Sequence, residues 1–215
     1  EVLRFLIVWI QTIISPLASS LLFLLVLSLA IGSNRGDVLG VSFITFLAPG
    51  LISMQIIQQS FSHSSSSFMI GKIQGNIVDL LYAPLSPAEV TISVSLAAVT
   101  RSVIIAMVSI FIFKLIIDLE IRNYFLLITF TLLSSFILGN IGIIAGLWAE
   151  KFDHMATVTN FVIVPLSFLS GTFYSINRLP EILQMISKAN PFFYMIDGFR
   201  YSFIGKADGS IFIGL

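Results

Sequence analysis

Apolar residues fill the chain in long blocks, and polar residues gather in short clusters between them. Blocks at about 15–31, 41–61, 90–113, 124–148 and 155–174 are each long enough for a membrane-spanning helix. A helical lead-in over 1–12 precedes them, with Trp9 as interfacial anchor and Glu1, Arg4 and Gln11 as polar residues. A sixth apolar run opens near Ser210 and breaks off at Leu215, so the chain reads as a fragment trimmed at both ends. Serines from Ser62 to Ser67 read as a linker, with His63 as a solvated loop residue.

Two polar interruptions carry helical patterns of their own. In the first, Ile70, Ile73, Ile77, Leu80 and Leu81 fall on one face, and Lys72, Gln74, Asn76 and Asp79 turn elsewhere. This predicts a flat interfacial helix over about 70–82. Ala83-Pro84-Leu85 stops it, because proline disfavours helix in the preceding residue. Ser86, Pro87 and Glu89 then form a capping box for the next helix. Such an element suits a handle for force from outside the membrane, and equally an ordinary interfacial loop. In the second interruption, Leu179, Ile182, Leu183 and Ile186 make an apolar face, and Asn190-Pro191 breaks the helix. Phe192, Phe193, Ile196 and Phe199 begin another face, with Asp197 and Arg200 spaced to pair. Two helices too short to span predict a re-entrant hairpin or interfacial cap at about 179–203.

Composition makes the membrane assignment firm. Of 215 residues, 57% are hydrophobic and 10% charged, against roughly 25% charged in soluble domains. Eleven basic and eleven acidic side chains cancel, which leaves no polybasic footprint for nucleic acid. The absence of cysteine removes disulfides and thiolate chemistry.

Few residues inside the spans are chemically conspicuous. Pro49-Gly50 should bend the second span, and Asn160 and Pro165 interrupt the fifth. Arg101 lies deep in the third span, where an arginine costs about 2.5–3.5 kcal/mol and must face protein or water. Gly139, Gly142 and Gly146 offer a flat patch for close helix contact. Asp153 and His154 match no metal motif and read as a solvated turn. Gly71-Lys72 lacks the earlier glycine of a phosphate loop, and HExxH, GxSxG and paired intramembrane acids are all absent. Three classes remain: a transporter subunit driven from outside, a secondary transporter or channel, and, least supported, an intramembrane enzyme.

Two stretches together resemble the ABC-2 type exporter membrane subunit: APGLISMQIIQQSF leading to GKIQGNIVDLLYAPLSPAEV, and LSGTFYSINRLPEILQMISKANPFFYMIDGFR. The resemblance covers essentially the whole chain. It implies an all-α integral membrane fold with six helices per unit, five present here with the start of a sixth. It also implies a cytoplasmic coupling helix, an outer re-entrant hairpin and a single transmembrane domain over 1–215. On this resemblance Gly71, Lys72, Gln74, Gly75, Asp79, Leu80, Leu81, Pro84, Leu85 and Ser86 would couple to an ATPase. Pro49, Gly50, Met54, Arg101, Asn160, Pro165, Phe168, Gly171, Asn190 and Pro191 would line or gate the path. The implied partners are a pair of ABC ATPase subunits holding ATP and Mg, a second membrane subunit, either another copy of this chain or a similar one, and the lipid bilayer of a bacterial inner membrane. No cofactor is expected in this chain, and no catalysis of its own. The implied cargo is amphipathic, lipid-like, glycan or drug-like. The implied topology leaves Arg4, Lys72 and Lys151 inside, and Arg35, Lys114, Arg122, Arg178, Lys188, Arg200 and Lys206 outside, against the positive-inside rule.

Overall fold

The computed structural model describes residues 10–31 and 37–214, without the side chains of Ile10, Gln11, Ile31 and Leu81. The expected lead-in helix over 1–12 lies mostly outside the described residues, as does Arg35. A π-helical turn, Ile10–Ile14, runs into α1 (Ser15–Ile31). The long α2 (Phe43–Ile73) is followed by the short α3 (Ile77–Tyr82). Next come α4 (Pro87–Ile116) and α5 (Tyr124–Trp148). One further rod is built from α6 (Phe152–Val158), a π-helical turn at Thr159–Ile163, and α7 (Val164–Phe168). A 3-10 turn at Ile176–Arg178 leads to α8 (Glu181–Ala189), α9 (Pro191–Ile204) and α10 (Ile211–Gly214).

By length and composition, Thr12–Ala30, Pro87–Ile116 and Tyr124–Trp148 can each cross a bilayer. At a rise of about 1.5 Å per residue, α2 is longer than any of them, but glutamines and serines dilute its apolar character. It is the axis of the bundle, packing first on α5, then on α4 and α9. The glycine patch explains that order. A Cβ on Gly142 would stand 2.5 Å from the Phe61 carbonyl oxygen, and one on Gly146 would stand 2.8 Å from that of Ser65. Small residues on both helices let the backbones meet.

The same contact corrects the reading of Ser62–Ser67. The stretch is helical, and α2 runs on to Ile73 rather than stopping at 61. Ser64 and Ser65 are buried, because small side chains are what the glycine face of α5 admits. His63 is buried as well, not solvated. Serine breaks an apolar periodicity without breaking a helix that close packing supports.

The expected flat helix over 70–82 is two pieces. Its first turn, with Gly71 and Lys72, completes α2. Gly75, at φ +75, makes the break, a backbone conformation glycine enters without steric cost. The remainder is α3. The capping box at Ser86 is present, with Ser86 accepting from the Glu89 backbone and the Glu89 carboxylate accepting from the Ser86 N–H at 2.7 Å.

The fifth helical rod ends at Phe168, six residues before 174, and Gly171 turns the chain at φ +73. Connections therefore gather at two ends. The lower end holds α3 and residues 149–151. The upper end holds residues 37–42, 117–123, 169–180 and 205–210. There Arg178 donates to the Asp37 carbonyl at 2.9 Å, and Ser202 accepts from the backbones of Arg122 and Asn123. The Asp208 carboxylate takes the Ser175 hydroxyl, the Ile176 N–H and the Asn177 amide.

Candidate functional site

One face of α2 is polar at helical spacing: Gln55, Gln58, Gln59, Ser62, His63 and Ser66. These residues line a cavity of about 640 Å³ against Ser15, Ser19 and Phe23 of α1. The α2 contribution extends from Leu51 to Ile70, about 28 Å along the axis at helical rise, close to the thickness of a bilayer core. A polar groove of bilayer length is thus cut along the central helix.

Arg101 reaches the groove from α4 and is the one charged side chain among the described lining residues. Its guanidinium donates to Gln59 Oε1 at 2.7 Å and lies 3.2 Å from His63 Nδ1. The structure meets the cost of a deep arginine with two polar residues one helical turn apart. Gln55 braces the same wall, donating to the Pro16 carbonyl of α1 and accepting from Ser109 of α4 at 3.2 Å.

The upper end holds a second deep arginine. Arg200 is 1% exposed. It donates to the carbonyls of Gly171 at 2.8 Å and Thr172 at 3.2 Å, sits 3.9 Å from the centroid of the Phe46 ring, and pairs with Asp197 at 3.9 Å. Asp197 in turn accepts from the backbones of Asp208 and Gly209. This network explains Gly50. A Cβ there would stand 2.7 Å from both the Arg200 guanidinium and the Thr172 carbonyl oxygen.

At the lower end α3 stands off the bundle. Tyr82 is 86% exposed, and Val78 and Leu85 about half. Gln74, Gly75, Asp79, Pro84 and Ser86 are exposed too, and Leu80 is half-buried. The Leu81 side chain lies outside the described ones. Lys72 anchors the segment: its ammonium donates to the Leu147 and Ala149 carbonyls, the latter at 2.9 Å, which caps the last turn of α5.

Of the residues expected on the path, Met54 and Arg101 line the groove. Pro49, Gly50 and Gly171 lie instead near the buried Arg200. Asn190 joins α8 to α9, its amide donating to the Leu166 carbonyl and its side-chain oxygen capping the Phe192 N–H just beyond Pro191. Asn160, Pro165 and Phe168 sit on the exposed face of the fifth rod beside Phe161, which is 78% exposed. Sequence reasoning missed the Gln-Ser face of α2 and the role of Arg200. The first had a signal: polar residues at i, i+3, i+4 and i+7 inside an otherwise apolar block. Asp153 and His154 open α6, and the imidazole of His154 packs on the Trp148 ring with centroids 5.5 Å apart.

Residues 1–204 match the ABC-2 type transporter family. The chain belongs to that family. This permease is 33% identical over 208 residues to "Inner membrane transport permease YadH" of Escherichia coli strain K12, covering 97% of the chain and 81% of the relative. It is 24% identical over 212 residues to "Nodulation protein J" of Rhizobium leguminosarum bv. viciae, covering 92% and 76%. To the protein of the same name in Rhizobium meliloti strain 1021 it is 22% identical over 198 residues, with the same coverage. The permease is therefore a multi-pass membrane component of a transporter, and its polar groove and protruding α3 are the features that need a role.

Proposed function

We propose that this permease is the membrane subunit of an ATP-driven exporter in a bacterial inner membrane; the family match and the words "inner membrane transport permease" in the name of the Escherichia coli relative support the reading. One observation carries the reading: the helix that lines the groove over most of its length ends directly in the protruding α3 segment. Force on α3 is delivered to the groove wall. The exposed Val78, Tyr82 and Leu85 form the surface for an ATPase subunit, and Lys72 ties that surface to α5 as well. ATP and Mg belong to the ATPase pair. Closure of that pair would push α3, shift α2 against α1 and alternate the groove between the two sides of the membrane.

A second copy completes the path. The apolar outward faces of α1 (Leu22, Leu25, Leu29) and of the fifth rod (Phe161, Val162) are the surfaces available to that copy and to lipid. The lower end is then cytoplasmic, and α8 with α9 forms the outer re-entrant hairpin. Phe192 and Ile196 share a core with Ile57 and Phe61 of mid-α2, while Phe203 and Ile204 share one with Phe43 and Phe46. Of the outer basic residues Arg200 is buried in the core and paired with Asp197, so it does not count as a loop charge; the others keep an excess on that side.

The test is isolation of the full-length protein from its native membrane in mild detergent, with identification of stoichiometric partners. A P-loop ATPase that is released by Tyr82→Asp or Asp79→Arg supports the proposal. Repeated recovery without an ATPase, under conditions that preserve other such complexes, would favour a channel or secondary transporter using the same groove.

A further inference from the structure

The polar groove ends in hydrocarbon at the upper end. Phe23 is the uppermost α1 residue on its wall, Leu51 is the uppermost of α2, and Phe173 reaches in from the turn after α7. The Phe173 ring lies 6.1 Å from that of Phe23 and stacks on Phe168 with centroids 5.1 Å apart. Of these three rings, Phe173 alone stands on a turn rather than a helix. Charged groups hold that turn on both sides of it. Before Phe173, the Gly171 and Thr172 carbonyls accept from Arg200. Beyond it, Asp208 accepts from the Ser175 hydroxyl at 2.6 Å, the Asn177 amide at 2.8 Å and the Ile176 N–H at 3.1 Å. The two clasps are joined. Asp197 pairs with Arg200 and accepts from the backbones of Asp208 at 3.2 Å and Gly209 at 2.8 Å. A closed circuit therefore runs from residues 171–172 through Arg200, Asp197 and Asp208 to residues 175–177, and Phe173 sits between its ends. The two clasps differ in exposure. Arg200 is sealed, whereas Asp208 is half-buried and Asn177 is exposed. Water replaces a lost hydrogen bond at little cost on the exposed side, so the Asp208 clasp is the weaker of the two.

We infer that Asp208 is a positioning residue for the upper end of the groove: by gripping residues 175–177 it holds Phe173 against Phe23, and release of the grip withdraws the ring. Asp208 does not line the groove, so it acts only through the turn it holds. The loop between α9 and α10 thereby sets access to a space cut between α1 and α2. This role rests on the groove being the transport path, and it names the group outside the groove that governs one of its ends.

The experiment uses the full-length protein with Met54→Cys, one turn below Leu51 on the groove wall, in sealed membrane vesicles of known orientation. A membrane-impermeant thiol reagent is added on the side of the upper loops, without ATP, and the rate of reaction is measured. Asp208→Ala is expected to raise that rate about tenfold, the change that about 1.4 kcal/mol of lost clasp produces. Asn177→Ala removes one of the three donors and should raise it about threefold. Phe173→Ala should raise it at least as far as Asp208→Ala. With Phe173→Ala already present, Asp208→Ala should add nothing, because the carboxylate acts through that ring. A merely structural role would lower the melting temperature and leave the two substitutions independent. If Asp208→Ala does not fold, Asn177→Ala and Ser175→Ala carry the same comparison. A rate unmoved by these variants overturns the inference, as does a rise of equal factor with and without Phe173. Ser66→Cys, near the lower end of the groove, is labelled from the opposite side as a measure of the groove itself. Reaction there, with a Met54→Cys rate indifferent to Asp208, removes this role alone. No reaction at either position in any variant removes the groove as a path and the role of Asp208 with it.

Discussion

Two arginines sit deep in this bundle, and the protein treats them in opposite ways. Arg200 is sealed, with two carbonyls, a carboxylate and an aromatic face around it, and a glycine on α2 making room. Arg101 is half-buried, set at the wall of a groove, and held by an amide and an imidazole. A fully enclosed charge joins loops and helices into one arrangement. A charge at the edge of a cavity, held by side chains of one neighbouring helix, becomes part of the cavity wall. Burial and surroundings, rather than depth in the sequence block, separate the sealed arginine from the one at the groove wall.

Breaking the enclosed pair should have the largest effect. Arg200→Met leaves Asp197 buried beside an apolar chain and should destabilise the protein by about 3–5 kcal/mol, seen as a lower melting temperature and poor recovery from detergent. Gly50→Val attacks the same station from α2. The added carbons have no space beside the guanidinium and the Thr172 carbonyl, and the expected cost is about 1–3 kcal/mol. Arg101→Leu should separate from both. Thermal stability should stay near the parent, while transport falls by about tenfold, the loss expected when hydrogen bonds from one charged group to cargo disappear. Full transport in this variant would remove Arg101 from the path. Smallest in stability is Lys72→Met, with a cost of about 0.3–1 kcal/mol for the lost cap on α5. Its informative readout is ATPase turnover per cargo moved, which should rise as α3 loses its tie to α5.

How much of this was legible in the sequence follows from which physical rule wrote each feature. Apolar length marks α4 and α5, and the limits 124–148 coincide with α5 as observed. Local chemistry marks the capping box at Ser86, and the spacing of Asp197 and Arg200 marks their pair. Tertiary packing wrote the rest. Nothing local says that Ser62–Ser67 stays helical, because the reason lies in Gly142 and Gly146, some eighty residues on. His63 looked solvated for the same reason, since its partner is on another helix. Hydrogen bonds to loop carbonyls at Gly171 and Thr172, which bury Arg200, leave no periodic trace in the sequence. Of the candidate path residues, Arg101 was legible because a charge in an apolar block always demands an explanation. The glutamines beside it were passed over because an amide in such a block is tolerated without one.

The most direct test of the groove uses the absence of cysteine from this chain. Single cysteines are placed along the groove face of α2, at Met54, Gln58, Ser62 and Ser66, and on its packed face at Ile56, Ser60 and Ser64. A membrane-impermeant thiol reagent is then applied from either side of sealed membranes, with and without ATP. Reaction confined to the groove face, with the accessible side changing when ATP is supplied, is the expected result. Equal protection of both faces under every condition would mean that no water-filled path runs along α2, and would contradict the transport role given to the groove.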